Sequence, residues 1–197
     1  HLGIQFSNIN HMQLGFYSSK DGNFDLDQDI EKIVTLLEKT DPDVVTVVSE
    51  DETGHKKHLK VFKIVCQAIK RYLQKNPNKN LTVWEYRNVW CQFEPADVNL
   101  FFPVNINDFS SLRNVFHNSY KSQIKALFPV ANHDGPFCDV MQQIMHFQYQ
   151  KIRTLIGGDY FDKHQSNRIK SAHGFCFINS LQAEQFLIKN NLNEKNI

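Results

Sequence analysis

The hydrophobic residues in the first half of the chain alternate between helical and strand-like spacing. From residue 27 to residue 39 they recur every three or four positions, which predicts a helix with Asp25 or Asp27 as its N-cap. Residues 44–48 form a continuous β-branched run, typical of a strand that is buried on both faces of a parallel sheet. Helical spacing then covers residues 58–75, and residues 81–86 alternate as a second strand.

The same alternation continues in the second half of the chain. Residues 98–104 and 172–178 are predicted to be strands, and residues 108–125 and 139–156 are predicted to be helices. The order of elements predicts an α/β domain with layers of helices around a mostly parallel sheet. We expect one such domain over residues 1–180, followed by a polar C-terminal tail over residues 181–197.

Composition limits the classes of protein that fit this pattern. The chain has 197 residues, 41% of them hydrophobic, which is enough for one globular core. The formal net charge of +1 gives no basic surface for nucleic acid or an anionic membrane. No apolar run approaches the roughly 18 residues that span a bilayer. Four widely spaced cysteines indicate reduced thiols, so we expect a soluble cytoplasmic protein.

The most informative stretch for chemistry is DETGHKKHL, which follows the predicted strand 44–48. In open α/β sheets the ligand site lies beyond the carboxyl ends of the strands. His55 and His58 are three residues apart at a predicted helix start, so they can share one face and bind zinc. The alternative is a solvated helix start, because a catalytic zinc site usually needs three protein ligands.

Other polar residues have both a structural and a functional interpretation. His133 and Asp134 lie in the turn-rich stretch NHDGPF, where Asp-Gly-Pro alone explains the conformation; they could also line the rim of a substrate pocket. Arg87 could contact a phosphate or carboxylate, or pair with a surface acid. The acidic residues 50–52 could supply a carboxylate to the site or be solvated, and His173 is interpreted as structural.

Several of these segments together resemble a known family. PDVVTVVSEDETGHKKHLKVFKIVCQAI is similar to the second motif of the LmbE/PIG-L family of zinc-dependent de-N-acetylases. LGFYSSKDG, YRNVWCQFEPADVNLFFPV, SYKSQIKALFP, HDGPFCDVMQQIMHFQYQKI and HGFCFI resemble the form of this domain that is fused C-terminal to a glucosamine-6-phosphate deaminase-like (NagB-like) domain. The resemblance implies a three-layer Rossmann-like fold.

The resemblance also implies roles for two histidines. His58 matches the histidine that ligates zinc, and His55 matches the catalytic histidine that polarises the substrate carbonyl. The other ligands and the general base of the family come from a His-Pro-Asp-Asp motif, which these 197 residues do not contain. We therefore expect the C-terminal part of a longer protein, without its first strand and with weak or absent zinc binding.

Two functions remain open at this point. One is zinc-dependent hydrolysis of an N-acetyl amide on an amino sugar or its conjugate, incomplete in this chain alone. The other is a non-catalytic domain that binds a sugar phosphate or supports assembly beside a glucosamine-6-phosphate deaminase/isomerase-like domain. In either case we expect a small-molecule partner, no nucleic acid and no membrane. We also expect a homo-oligomer or an association with the missing N-terminal portion, because an absent first strand leaves a sheet edge exposed.

Overall fold

The computed structural model describes residues 4–18, 24–49, 56–87, 92–124 and 135–190. The helices and strands follow in the order α1 (Gly15–Ser18), α2 (Leu26–Thr40), β1 (Val44–Val48), α3 (Lys56–Lys75), β2 (Thr82–Tyr86), β3 (Leu100–Val104), α4 (Ile106–Ser119), α5 (Phe137–Ile156), α6 (Gly158–Asp162), α7 (Asn167–Lys170), β4 (Gly174–Gln182) and α8 (Ala183–Lys189). Within these ranges, no helix has the length and apolar character needed to cross a membrane.

The chain divides into two compact units, and the assignment of residues 1–180 to one domain stays a prediction. Among the described residues, the terminal unit contains residues 4–18, 24–49, 56–87 and 179–190, and the central unit contains residues 92–124 and 135–178. The boundary falls inside β4, between Ile178 and Asn179, so this strand contributes to both units.

The four strands form one sheet in the order β1-β2-β4-β3. β1 and β2 run parallel, with Val44 opposite Thr82 and Val48 opposite Tyr86. β3 and β4 run antiparallel. The protein is therefore mixed α/β as expected, and its sheet contains both a parallel and an antiparallel pair of strands.

The expectation that β1 is buried on both faces is wrong. β1 is the first strand in the sheet order, and Val44 is 41% exposed, while Val47 is only 4% exposed. A β-branched run suits any pleated, half-buried surface, so the residues of β1 could not distinguish an edge strand from a central one.

Helices α2 and α3 supply most of the core of the terminal unit. α2 begins at the N-cap Asp25, whose side chain accepts a hydrogen bond from the Gln28 backbone N–H, and ends at Asp41 in the left-handed region (φ 41°). Buried apolar residues lie on the inner sides of the helices and strands: Ile30, Val34, Leu37, Val47, Phe62, Ile64, Cys66, Ala68, Ile69, Tyr72, Leu81, Val83, Ala183 and Phe186.

The C-terminal segment differs from the polar tail expected over residues 181–197. Residues 183–189 form α8, in which Phe186 is fully buried and its ring lies 5.9 Å from that of Phe62. The Ala183 N–H also donates to the Leu81 carbonyl at 2.9 Å. A helix of seven residues spans only two helical turns, too few for its apolar period to be recognised among the polar residues around Phe186. Residues 191–197 lie outside the described ranges.

The core of the central unit is aromatic. Tyr149 on α5 packs edge-to-face against Phe161 and Phe175, with ring centroids 5.3 and 5.5 Å apart. β4 can come this close to its neighbours because Gly174 has no side chain: a Cβ there would lie 2.7 Å from the Phe109 ring. α5 ends at Gly157, whose φ of 90° favours glycine, as the sequence predicted.

Candidate functional site

The carboxyl ends of β1 and β2 define one edge of the sheet, which we call the carboxyl edge. It comprises Ser49 after β1, Arg87 after β2, and the first turn of α3 with His58. The Ser49 N–H donates to the Tyr86 carbonyl at 2.7 Å, so the two strands leave the sheet side by side. Because ligand sites in α/β sheets lie beyond the carboxyl ends of the strands, this edge is the candidate site in the terminal unit.

His58 lies in the first turn of α3, as the sequence predicted. Its side chain is exposed, whereas Phe62, one turn further along the same helix face, is 6% exposed and belongs to the core. The face of α3 that carries His58 is therefore the face that packs inward one turn later. His55, the second histidine of the motif, lies outside the described residues, so its position relative to His58 stays a prediction.

Arg87 directly follows β2 and is half-buried. Arg87 therefore belongs to the carboxyl edge, and its contact with a phosphate or carboxylate stays a prediction. The acidic residues 50–52, a further predicted source of carboxylates, lie outside the described ranges. The structure thus places Arg87 and His58 on neighbouring segments of the same edge.

The described part of the chain does not fit a complete zinc site. Within it, no group of three or more histidine, cysteine, aspartate or glutamate side chains is positioned to hold a metal ion. A catalytic zinc normally needs three protein ligands and one open position. His58 on its own supplies one ligand, so no reaction step through zinc can be built from the residues described.

The remaining predicted positions do not join this edge. His133 and Asp134 lie outside the described residues. His173 belongs to the central unit, where its N–H donates to the Val104 carbonyl at 2.8 Å and its own carbonyl lies 2.9 Å from His146 Nδ1. The ring Nδ1 of His173 lies 2.9 Å from the Ser171 carbonyl, and the structural role of this side chain stays a prediction.

A buried carboxylate near the carboxyl edge was not identified from the sequence. Glu85, on β2, is fully buried, and its Oε2 accepts hydrogen bonds from Lys189 Nζ at 2.6 Å and Asn179 Nδ2 at 2.8 Å. Its Oε1 accepts no hydrogen bond from the described residues. The signal was present in TVWEYR, because the period of two places Glu85 on the face of Val83 and Arg87.

The described cysteines are free thiols in environments that disfavour the thiolate. Burial raises the pKa of Cys66, and the charge of Glu85 raises it further. Burial raises the pKa of Cys138 to about 11 and also raises the pKa of Cys176. A nucleophilic cysteine needs a lowered pKa, so these three are structural residues, in agreement with the sequence. Cys91 lies outside the described ranges.

Comparison with known proteins adds no further constraint. No protein-family model, curated protein or solved structure matches the chain. The resemblance to the LmbE/PIG-L family therefore stays a prediction from the sequence segments quoted above. The geometry of the carboxyl edge is the structural basis for assigning a function.

Proposed function

We propose that this chain contributes part of a zinc-dependent de-N-acetylase that acts on an N-acetylated amino sugar or its conjugate. One observation carries the proposal: His58 begins α3 at the carboxyl edge, on the helix face that packs inward at Phe62. A histidine at this place can reach a ligand bound beyond the ends of β1 and β2. It is also the histidine that the family resemblance assigns to zinc.

In this proposal the residues have separate roles. His58 provides one zinc ligand, and His55 donates a hydrogen bond to the substrate carbonyl oxygen. Arg87, at the end of β2, binds an anionic group of the sugar conjugate. His133 and Asp134 line the rim of the substrate pocket. Since the sequence lacks the His-Pro-Asp-Asp motif that would supply the other ligands and the general base, we expect no turnover by these 197 residues alone.

The finer fold assignment is part of the same proposal. We infer a three-layer Rossmann-like arrangement whose first strand pairs beside β1 in a longer protein. The position of β1 at the end of the sheet order supports this inference, because an edge strand offers unpaired backbone groups to another strand. The same edge would serve a homo-oligomer, and the widely spaced cysteines favour a cytoplasmic protein.

A second candidate is a non-catalytic domain that binds a sugar phosphate or supports assembly. It is favoured by the single ligand at the carboxyl edge, since no three-ligand group exists among the described residues. In this case Arg87 would hold the phosphate, and His58 would be a polar helix start. The two candidates differ in whether zinc binds and in whether His58 is needed for it.

Zinc content per chain, measured by elemental mass spectrometry, tests the first candidate. The longest natural form of the protein is compared with its His58→Ala, His55→Ala and His11→Ala variants, the last being an exposed histidine in the terminal unit. We expect about one zinc per chain, lost in His58→Ala and kept in the other two. Equal zinc in wild type and His58→Ala contradicts the assignment.

Amine release from N-acetylglucosamine and its 6-phosphate then separates the two candidates. Zinc together with amine release that disappears in His55→Ala supports the hydrolase. Absence of zinc from all four proteins, with sugar phosphate binding that depends on Arg87, supports the non-catalytic domain.

A further inference from the structure

A groove lined by lysines lies along the first two turns of α3 in the terminal unit. Lys56, Lys60 and Lys63 line it together with four apolar residues, Phe24, Leu26, Leu59 and Ile64. Its volume is about 620 Å³, within the range of roughly 300–1,000 Å³ that small-molecule sites occupy. We call it the lysine groove.

The lysine groove is separate from the carboxyl edge. Residues 56, 60 and 63 share one face of α3, because they are spaced at helical intervals of four and three. His58 is two residues from both Lys56 and Lys60, which places it about 160° around the helix axis from each of them. A ligand in the lysine groove would therefore lie on the opposite side of α3 from the proposed zinc ligand.

Lys56 and Lys60 face a described lining that contains neither aspartate nor glutamate. Lysines four apart on a helix repel each other, so this pair carries a small cost in stability. The other end of α3 is arranged differently: Lys75 Nζ lies 3.1 Å from the Glu38 carboxylate of α2. An anion bound between Lys56 and Lys60 would relieve this repulsion.

The Lys60 ammonium group lies over two phenylalanine rings, those of Phe24 and Phe16, and Phe24 belongs to the apolar floor of the groove. Lys60 Nζ lies 4.4 Å from the centre of the Phe24 ring and 5.7 Å from that of Phe16. These cation–π contacts hold the ammonium group over the apolar floor. An incoming anion would meet Lys60 directly above a surface that suits a ring.

We propose that the lysine groove binds a small phosphate monoester whose organic part contains a ring. The dianionic phosphate lies between the Lys56 and Lys60 ammonium groups, and the ring packs on Phe24 and Leu59. Ammonium groups recognise phosphate as point charges, and the apolar floor adds affinity in proportion to the area it covers. This site does not depend on the function proposed for the carboxyl edge.

Titration calorimetry of the full chain with three probes tests the two halves of the site. The probes are phenyl phosphate, inorganic phosphate and phenol. We expect phenyl phosphate to bind about tenfold more tightly than inorganic phosphate, because the ring buries apolar surface, and phenol to show no binding. Equal affinities for phenyl phosphate and inorganic phosphate overturn the proposal, as does the absence of binding by either.

Charge-matched variants locate the site. Lys60→Gln and Lys56→Gln should each weaken phenyl phosphate binding about fivefold through loss of a charged contact, whereas Lys60→Arg should stay within about twofold. Lys39→Gln, an exposed lysine of α2, makes the same change in net charge and should have no effect. If Lys39→Gln weakens binding as much as Lys60→Gln, the phosphate is attracted only by the net charge of the protein and the proposal fails.

His58→Ala distinguishes this proposal from the function proposed above. It should leave phenyl phosphate binding unchanged whether or not the protein binds zinc. A loss of phenyl phosphate binding in His58→Ala would place the anion at the carboxyl edge and overturn the lysine groove. Circular dichroism of each variant verifies that the fold is retained.

Discussion

Replacing Lys189 by methionine is expected to destabilise the protein through the buried Glu85. The Glu85 side chain is fully buried. Among the described residues, its Oε2 accepts hydrogen bonds from the Lys189 ammonium group and the Asn179 amide only. Methionine keeps most of the apolar length of the lysine stem but removes its charge. The variant therefore leaves a buried carboxylate with one neutral hydrogen-bond donor.

Two limits bracket the size of this effect. Breaking a fully buried ion pair costs about 3–5 kcal/mol, and removing one partner of an exposed pair costs about 0–1 kcal/mol. Lys189 lies between these limits because its side chain is 44% exposed while that of Glu85 is 0% exposed. We expect a loss of about 2 kcal/mol in the free energy of unfolding.

Urea denaturation followed by far-UV circular dichroism measures this loss. The experiment compares wild type, Lys189→Met, Glu85→Gln and the double variant, with Lys39→Met as the control at an exposed lysine of α2. Because the neutral amide introduced by Glu85→Gln no longer needs the ammonium, the double variant should recover about 1 kcal/mol or more relative to the sum of the single losses. A Lys189→Met variant within about 0.5 kcal/mol of wild type would refute the reasoning.

Two further variants test local features of the units. The hydrogen bond from Lys79 holds the pKa of Asp41 below its ordinary value. The ionised Asp41 therefore stabilises the fold at pH values above its unfolded pKa of about 3.9. This stabilisation is lost as the pH falls through the lower pKa of the folded state. Asp41→Asn should flatten the stability profile below about pH 4 in urea unfolding, and an unchanged profile would contradict this. Gly174→Ala places a Cβ 2.7 Å from Phe109 and 3.0 Å from Met145, so thermal unfolding should show a loss of about 1–3 kcal/mol; an unchanged melting temperature would exclude the predicted clash.

The sequence predicted the main helices and strands because each repeats its hydrophobic period several times. α2, α3 and α5 begin and end within two residues of the predicted limits, at signals such as Asp25 and Gly157. α4 ends at Ser119, earlier than the predicted residue 125, and a 3₁₀ turn over residues 121–123 follows it. Short-range periodicity does not determine where one turn type replaces another.

The candidate site was predicted only in part. The histidine motif located His58 at the start of α3, and the strand ending at Tyr86 located Arg87. Glu85 was not predicted because a charged residue in a strand normally faces water. Its burial is stabilised by hydrogen bonds from Asn179 and Lys189, about a hundred positions away. The lysine groove was also missed, since Phe24 and Lys60 belong to different segments that come together only after folding.

By itself, the sequence determined the local conformation of this protein: which segments are helical, which are extended, and at which residues they begin and end. The tertiary structure decided the edge position of β1, the antiparallel pairing of β3 with β4 and the docking of α8 through Phe186. These features depend on contacts between residues far apart in the chain. A local pattern records which face of an element is apolar, whereas the partner that covers this face is chosen by the packing of the whole fold.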